Sequence, residues 1–158
     1  MKKKLLGILA VFLLLNSQKS FAHCEIPCGI YNDELRIHLI EEYIDTIEKS
    51  MIAIQELSKN RDPLSINQIV RWVDNKEEHA KKIQNIIWQY FFTQRVKPVN
   101  PEDKARYEAY LKKLELLNRL NFLVMKSKQS VDTKVVKEMR KVLSEFEKVY
   151  FKVEKHKH

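Results

Sequence analysis

Glycine is nearly missing from this chain of 158 residues, which has only Gly7 and Gly29. Proline and cysteine are also scarce, at four and two residues. Glycine and proline are the residues that end helices, so long stretches remain in which nothing interrupts one. No strand pattern, internal repeat or low-complexity segment competes with that reading. Two cysteines cannot build a disulfide framework. A Cys24–Cys28 bridge would close so short a loop that it would constrain little of the chain. Long apolar runs are lacking too, since Leu5–Leu15 is too short to span a bilayer with ordinary flanks. The formal charge is +8, but no nucleic-acid motif accompanies it.

What is present begins with a leader. Lys2, Lys3 and Lys4 form a basic start, the apolar run follows, and Ser20-Phe21-Ala22 offers small residues where a signal peptidase cuts. Residues 1–22 therefore read as a cleaved secretory signal peptide, with signal peptidase as a partner and no stable membrane anchor. The expected destination is the periplasm or the extracellular space. The leader holds Lys2, Lys3, Lys4 and Lys19 and no acid, which leaves the mature chain with 25 basic and 21 acidic residues and a net charge of +4. A mild positive balance of this kind assists capture of a small anion.

Four long segments lie between the breakers. The first runs from about Asp33 to Ser58, with Ile37, Ile40, Ile44, Ile47, Met51 and Ile54 on one helical face. The second starts at Ser65, whose Ser-x-x-Gln pattern with Gln68 is a capping-box signature. It reaches about Gln94 with Ile66, Ile69, Val73, Ala80, Ile83 and Ile87 on its stripe. Asn100 and Pro101 suit the start of the third, which carries Tyr107, Tyr110, Leu114, Leu117, Leu120 and Val124. The fourth begins near Asp132 and carries Val135, Met139, Val142, Phe146, Val149 and Val153. Short connections between such helices predict an all-α, antiparallel up-down four-helix bundle over residues 32–154. Residues 155–158, Lys-His-Lys-His, form a basic tail. Lys76 interrupts the second stripe where an apolar residue is expected. An ammonium facing a core must snorkel out, find partners such as Glu77 or Glu78, or serve a polar site.

The remaining segment, residues 23–31, reads His-Cys-Glu-Ile-Pro-Cys-Gly-Ile-Tyr. Cleavage after Ala22 makes His23 the first residue, so its α-amine joins its imidazole as a donor. The backbone nitrogen of Cys24 and the thiolates of Cys24 and Cys28 complete an irregular metal-binding hook. Two nitrogens and two sulfurs in a plane suit Ni(II) or Cu(II) better than tetrahedral zinc. Thiolates and a deprotonated amide also favour a higher oxidation state, which makes redox chemistry possible. Pro27 restricts the backbone and Gly29 permits angles that other residues resist, so the two can fold Cys28 back over His23. The Tyr31 hydroxyl follows where it can face an open metal position. The ligands alone leave a second reading, an exported non-enzymatic binder of nickel or copper.

This hook resembles the nickel hook of the nickel superoxide dismutases, His-Cys-Asp-x-Pro-Cys-Gly-Val-Tyr. His23, Cys24, Pro27, Cys28, Gly29 and Tyr31 are identical, while Glu25, Ile26 and Ile30 are conservative departures. The likeness extends to Lys76-Glu77-Glu78-His79-Ala80 and to Ile87-Trp88-Gln89-Tyr90-Phe91-Phe92. It implies a homohexamer with one nickel ion per subunit that disproportionates superoxide to oxygen and hydrogen peroxide by Ni(II)/Ni(III) cycling. His23, Cys24 and Cys28 would be the ligands, and Tyr31 would order small molecules near the open face. In the family's best-known branch a glutamate on the first helix and an arginine on the second hold the axial imidazole. Here His38 lies near the first position and Lys76 falls on the second. The family's second tyrosine becomes Phe91, with Tyr90 adjacent, and the Asp-Pro after the hook becomes Asn32-Asp33.

Overall fold

The computed structural model describes residues 32–154. The leader, the hook and the basic tail lie outside them. Four helices follow one another: α1 Asp33–Leu57, α2 Pro63–Asn85, α3 Lys104–Lys128 and α4 Lys134–Glu154. A π-helical segment, Ile86–Arg95, continues α2 without a break. Side-chain pairs fix the directions. Ser50 meets Asn75 and Tyr43 meets His79, so α1 and α2 are antiparallel. Gln84 meets Asn121 across α2 and α3, Arg119 meets Glu138 across α3 and α4, and Gln55 meets Val131 beside α4. The result is the expected antiparallel up-down four-helix bundle.

The helix starts follow local chemistry, with two corrections. Asn32 caps α1 by accepting from the Leu35 N–H at 3.0 Å. For α2 the cap is Asp62 rather than Ser65, and Pro63 sits in the first turn, where its missing N–H costs nothing. Ser65 is inside the helix, donating to the Asp62 carboxylate at 2.6 Å. For α3 the cap is Asp103, three residues beyond Asn100. Asn100 instead accepts from the Glu102 N–H and shapes the turn before the helix.

All six apolar residues of the α1 stripe are buried, and so are Leu117, Leu120, Val124, Met139, Val142 and Phe146. Fully burying each of these large side chains stabilises by about 1.5–3 kcal/mol. The α2 stripe departs from expectation. Ala80, Ile83 and Ile87 are fully buried, but Ile66 and Val73 are 54% and 37% exposed, as are neighbouring Leu64 and Val70 at 69% and 56%. The cause is the length of α3. It ends at Lys128, opposite Lys76 and Gln84. The first three turns of α2 therefore project past it.

A candidate metal centre at the N-terminal end of the bundle

The chain enters the bundle from residue 31 at Asn32, which is extended with φ −81° and ψ 126°. At the next residue the backbone is helical, and Asp33 occupies the first position. Its side chain points inward, 13% exposed, into a cluster drawn from three elements. The Tyr90 hydroxyl and Arg95 Nε donate to Oδ1, the latter at 2.7 Å, and Arg95 Nη2 also lies 2.7 Å from Oδ1. The Tyr150 hydroxyl donates to Oδ2 at 2.8 Å. Both carboxylate oxygens are thus occupied, and the charge at a helix N-terminus is favourably placed.

The π-helical segment makes this cluster possible. Residues five apart are about 140° apart around an α-helix and face different ways. Here the spacing is i to i+5: Thr93 Oγ1 donates to the Trp88 carbonyl at 2.7 Å, Gln94 Nε2 to Gln89 at 2.9 Å, and the Val96 N–H to Phe91 at 2.8 Å. The wider turn stacks Arg95 over Tyr90, with Nε 3.2 Å from the hydroxyl and the guanidinium 5.3 Å from the ring centre. Arg36 approaches the same ring at 5.5 Å. Burial, followed by the hydrogen bond to Asp33, pushes the Tyr90 phenol up to about 12. Burial alone would lower Arg95, but its bonds to Tyr90 and Asp33 outweigh that and hold it above the ordinary value. The cluster places two tyrosine hydroxyls around the Asp33–Arg95 ion pair.

Lys76 lies elsewhere. Its neighbour Asn75 contacts Ser50, seventeen residues along α1 from Asp33, about 25 Å along the axis at the helical rise. Lys76 is 3% exposed. Its ammonium donates to the carbonyls of Ser127 at 2.7 Å, Lys128 at 2.5 Å and Ser130 at 3.2 Å. Three acceptors for three protons fit the charged form. Burial pushes its pKa below the usual lysine value, and the Glu77 carboxylate at 4.0 Å opposes that. Glu78 is not a partner but pairs with Lys82 at 2.8 Å. The end of α3 has no glycine to close it, so the last carbonyls, the negative end of the helix, take their cap from α2.

His38 turns to solvent, its side chain 64% exposed, between Glu41 at 3.7 Å and Glu42 at 3.4 Å. Phe91 is fully buried and stacks edge-to-face on Phe146 and Tyr150 at 4.9 and 5.6 Å, and the hydroxyl that reaches Asp33 from this segment is that of Tyr90. Among the described residues no three His, Cys, Asp or Glu side chains come together so as to hold a metal ion. His23, Cys24, Pro27, Cys28, Gly29 and Tyr31 lie outside the described residues. The side chains of His23, Cys24 and Cys28, an imidazole and two thiols, are of a chemistry that fits a redox-active nickel ion better than a hard cation. Sequence reasoning missed Asp33, Arg95 and Tyr150. The adjacency of Asp33 to the hook was a usable signal, whereas Arg95 gave none, because an α-helical register points it away from Tyr90.

The sequence model of the family described as nickel-containing superoxide dismutase matches residues 18–154, which takes in the hook and all four helices. The chain belongs to the nickel-containing superoxide dismutase family. It is an oxidoreductase that disproportionates superoxide, and nickel is its metal. No curated protein and no solved structure matches the chain. Within this superoxide dismutase the bundle has two ends of different character. One carries the Asp33 cluster at the start of α1, and toward the other Lys76 closes α3.

Proposed function

We propose that superoxide is turned over at the mature N-terminus, in a hook of residues 23–31 exposed by cleavage of a leader after Ala22. The observation that carries this reading is the donor set. His23 and Cys24 directly follow a signal-peptidase motif, and the family match spans them. His23 provides amine and imidazole, Cys24 its amide nitrogen and thiolate, and Cys28 a thiolate. Each must lose its proton to bind, so nickel uptake releases protons and weakens in acid. Bound nickel supplies a one-electron couple between its +2 and +3 states.

The reaction balances simply. One superoxide gives up an electron and leaves as oxygen. A second accepts an electron and two protons and leaves as hydrogen peroxide. Tyr31 orients the small anion through its hydroxyl, and the net charge of +4 on the mature chain favours anion capture. Pro27 and Gly29 shape the turn that brings Cys28 back. The leader supports export, to the periplasm or the extracellular space. Exposed Leu64, Ile66, Val70 and Val73 on the projecting turns of α2 support assembly with further copies, in a homohexamer with one nickel per subunit. Lys76, if it serves His23, does so in addition to closing α3.

The test is expression of the precursor in an exporting host supplied with nickel, followed by N-terminal sequencing, metal content and dismutation. The expected result is a chain starting at His23 with one nickel and full activity. A mature N-terminus at another residue overturns the reading. One residue added before His23 should abolish activity and leave helical content unchanged. Retained activity would show that the amine is not a ligand.

A further inference from the structure

The nickel ligands of the proposed hook span six residues, His23 to Cys28, and their chelate is local. Tyr31 follows that chelate in sequence and is not one of its ligands. Its position relative to the bundle depends on the few residues that join it to a fixed point. That fixed point is Asp33. At no more than about 3.6 Å per residue, Tyr31 stays within about 7 Å of the Asp33 backbone and Cys28 within about 18 Å. Asn32 between them has its direction set by its cap on Leu35.

Asp33 is held more firmly than a helix start requires. Its carboxylate is nearly enclosed and accepts from Arg95 and Tyr90 of the π-helical segment and from Tyr150 in the last turns of α4. Arg95 and Tyr90 face each other only because that segment departs from the α-helical register. A rare helix form, two phenols and a guanidinium all converge on one carboxylate at the exit of the hook. A π-helical turn that re-aims side chains in this way is frequently found at functional sites.

We infer that Asp33 is a positioning residue for superoxide turnover. Clasped by Arg95, Tyr90 and Tyr150, it fixes the base of the hook and so the place of Tyr31. The inference rests on the reading of residues 23–31 as the nickel site. Nickel binding itself, being local, does not need the clasp, whereas presentation of substrate to the open position does.

The test compares the wild-type chain with Asp33→Asn, which keeps the shape but loses the charge, and with Tyr150→Phe, which removes one donor and leaves the ion pair intact. In the metal-free chains, amide hydrogen exchange is read by mass spectrometry. Residues 30–36 should exchange at least tenfold faster in Asp33→Asn, with residues 76–85 and 120–128 at wild-type rates. In the nickel-loaded chains, nickel content and the thiolate-to-nickel absorption should match wild type. Turnover should fall at least tenfold in Asp33→Asn and two- to threefold in Tyr150→Phe. If Asp33→Asn does not fold, Tyr150→Phe decides alone on the same readouts. Wild-type exchange at residues 30–36, or faster exchange with unchanged turnover, would overturn the positioning role. If Cys28→Ser left nickel uptake unchanged, the hook reading would fail and take this inference with it.

Discussion

Replacing Lys76 with methionine keeps most of the side-chain volume and removes the ammonium. In the folded chain three carbonyls lose their donor. Those of Lys128 and Ser130 belong to half-buried residues, and water can replace the lost bond there. Ser127 is fully buried, and its carbonyl is left stranded. Hydrogen bonds to a charged group contribute about 1.5–3 kcal/mol net, and an unsatisfied buried acceptor costs a similar amount. The substitution should therefore cost about 2–3 kcal/mol. For a domain of this size that corresponds to a fall in melting temperature of roughly 8–12 °C. The assay is thermal unfolding of the metal-free chain by circular dichroism, which separates the helix cap from any effect on nickel. A variant melting within about 2 °C of wild type would refute the cap. Below its melting temperature, the nickel-loaded variant should keep the wild-type nickel spectrum. A changed spectrum would mean that Lys76 also acts on the His23 imidazole that would hold the nickel.

Other substitutions probe the rest of the bundle. Phe91→Ala removes a fully buried ring stacked on Phe146 and Tyr150 and should destabilise by about 3–5 kcal/mol in chemical denaturation. Arg140 bridges α4 to Asp45 and to Glu48 at 2.5 Å on α1, but its side chain is 39% exposed. Arg140→Met should therefore cost only about 1 kcal/mol, a loss that shrinks as salt is added. Tyr90 gives a pH signature. Its pKa in the folded chain is raised from 10.0 to about 12, so the folded state keeps this proton longer than the unfolded state. The stability it confers is complete below pH 10 and is lost as pH rises from there toward 12. Unfolding free energies from denaturant titrations between pH 9 and 11.5 should fall more steeply for wild type than for Tyr90→Phe, by roughly 2 kcal/mol at the upper end of that range. Parallel curves would contradict the buried phenol.

The four helices were legible because each carries a strong period and so few breakers interrupt it. The α1 stripe from Ile37 to Ile54 was read residue for residue. Helix starts were read less well. Asp62 and Asp103 cap where Ser65 and Asn100 also fit, and sequence alone offers several polar residues at each end. The proposed ligands of the hook could be named for a different reason. His23, Cys24 and Cys28 are near neighbours in sequence, so proposing them together does not depend on how the chain folds.

The tertiary structure decided where the polar groups of the bundle find their partners. The period of α2 put Lys76 on the core face, and the sequence left its partner open among Glu77, Glu78 and a polar site. Its partners are three carbonyls more than fifty residues away, available because α3 stops at that level and has no glycine to end it. The exposure of Ile66 and Val73 has the same origin, since a stripe predicts a buried face only where a neighbouring helix is long enough to cover it. Asp33, Tyr90, Arg95 and Tyr150 are spread over most of the chain. They meet because a π-helical turn changes the register of one helix, and register is not written in the spacing of its apolar residues.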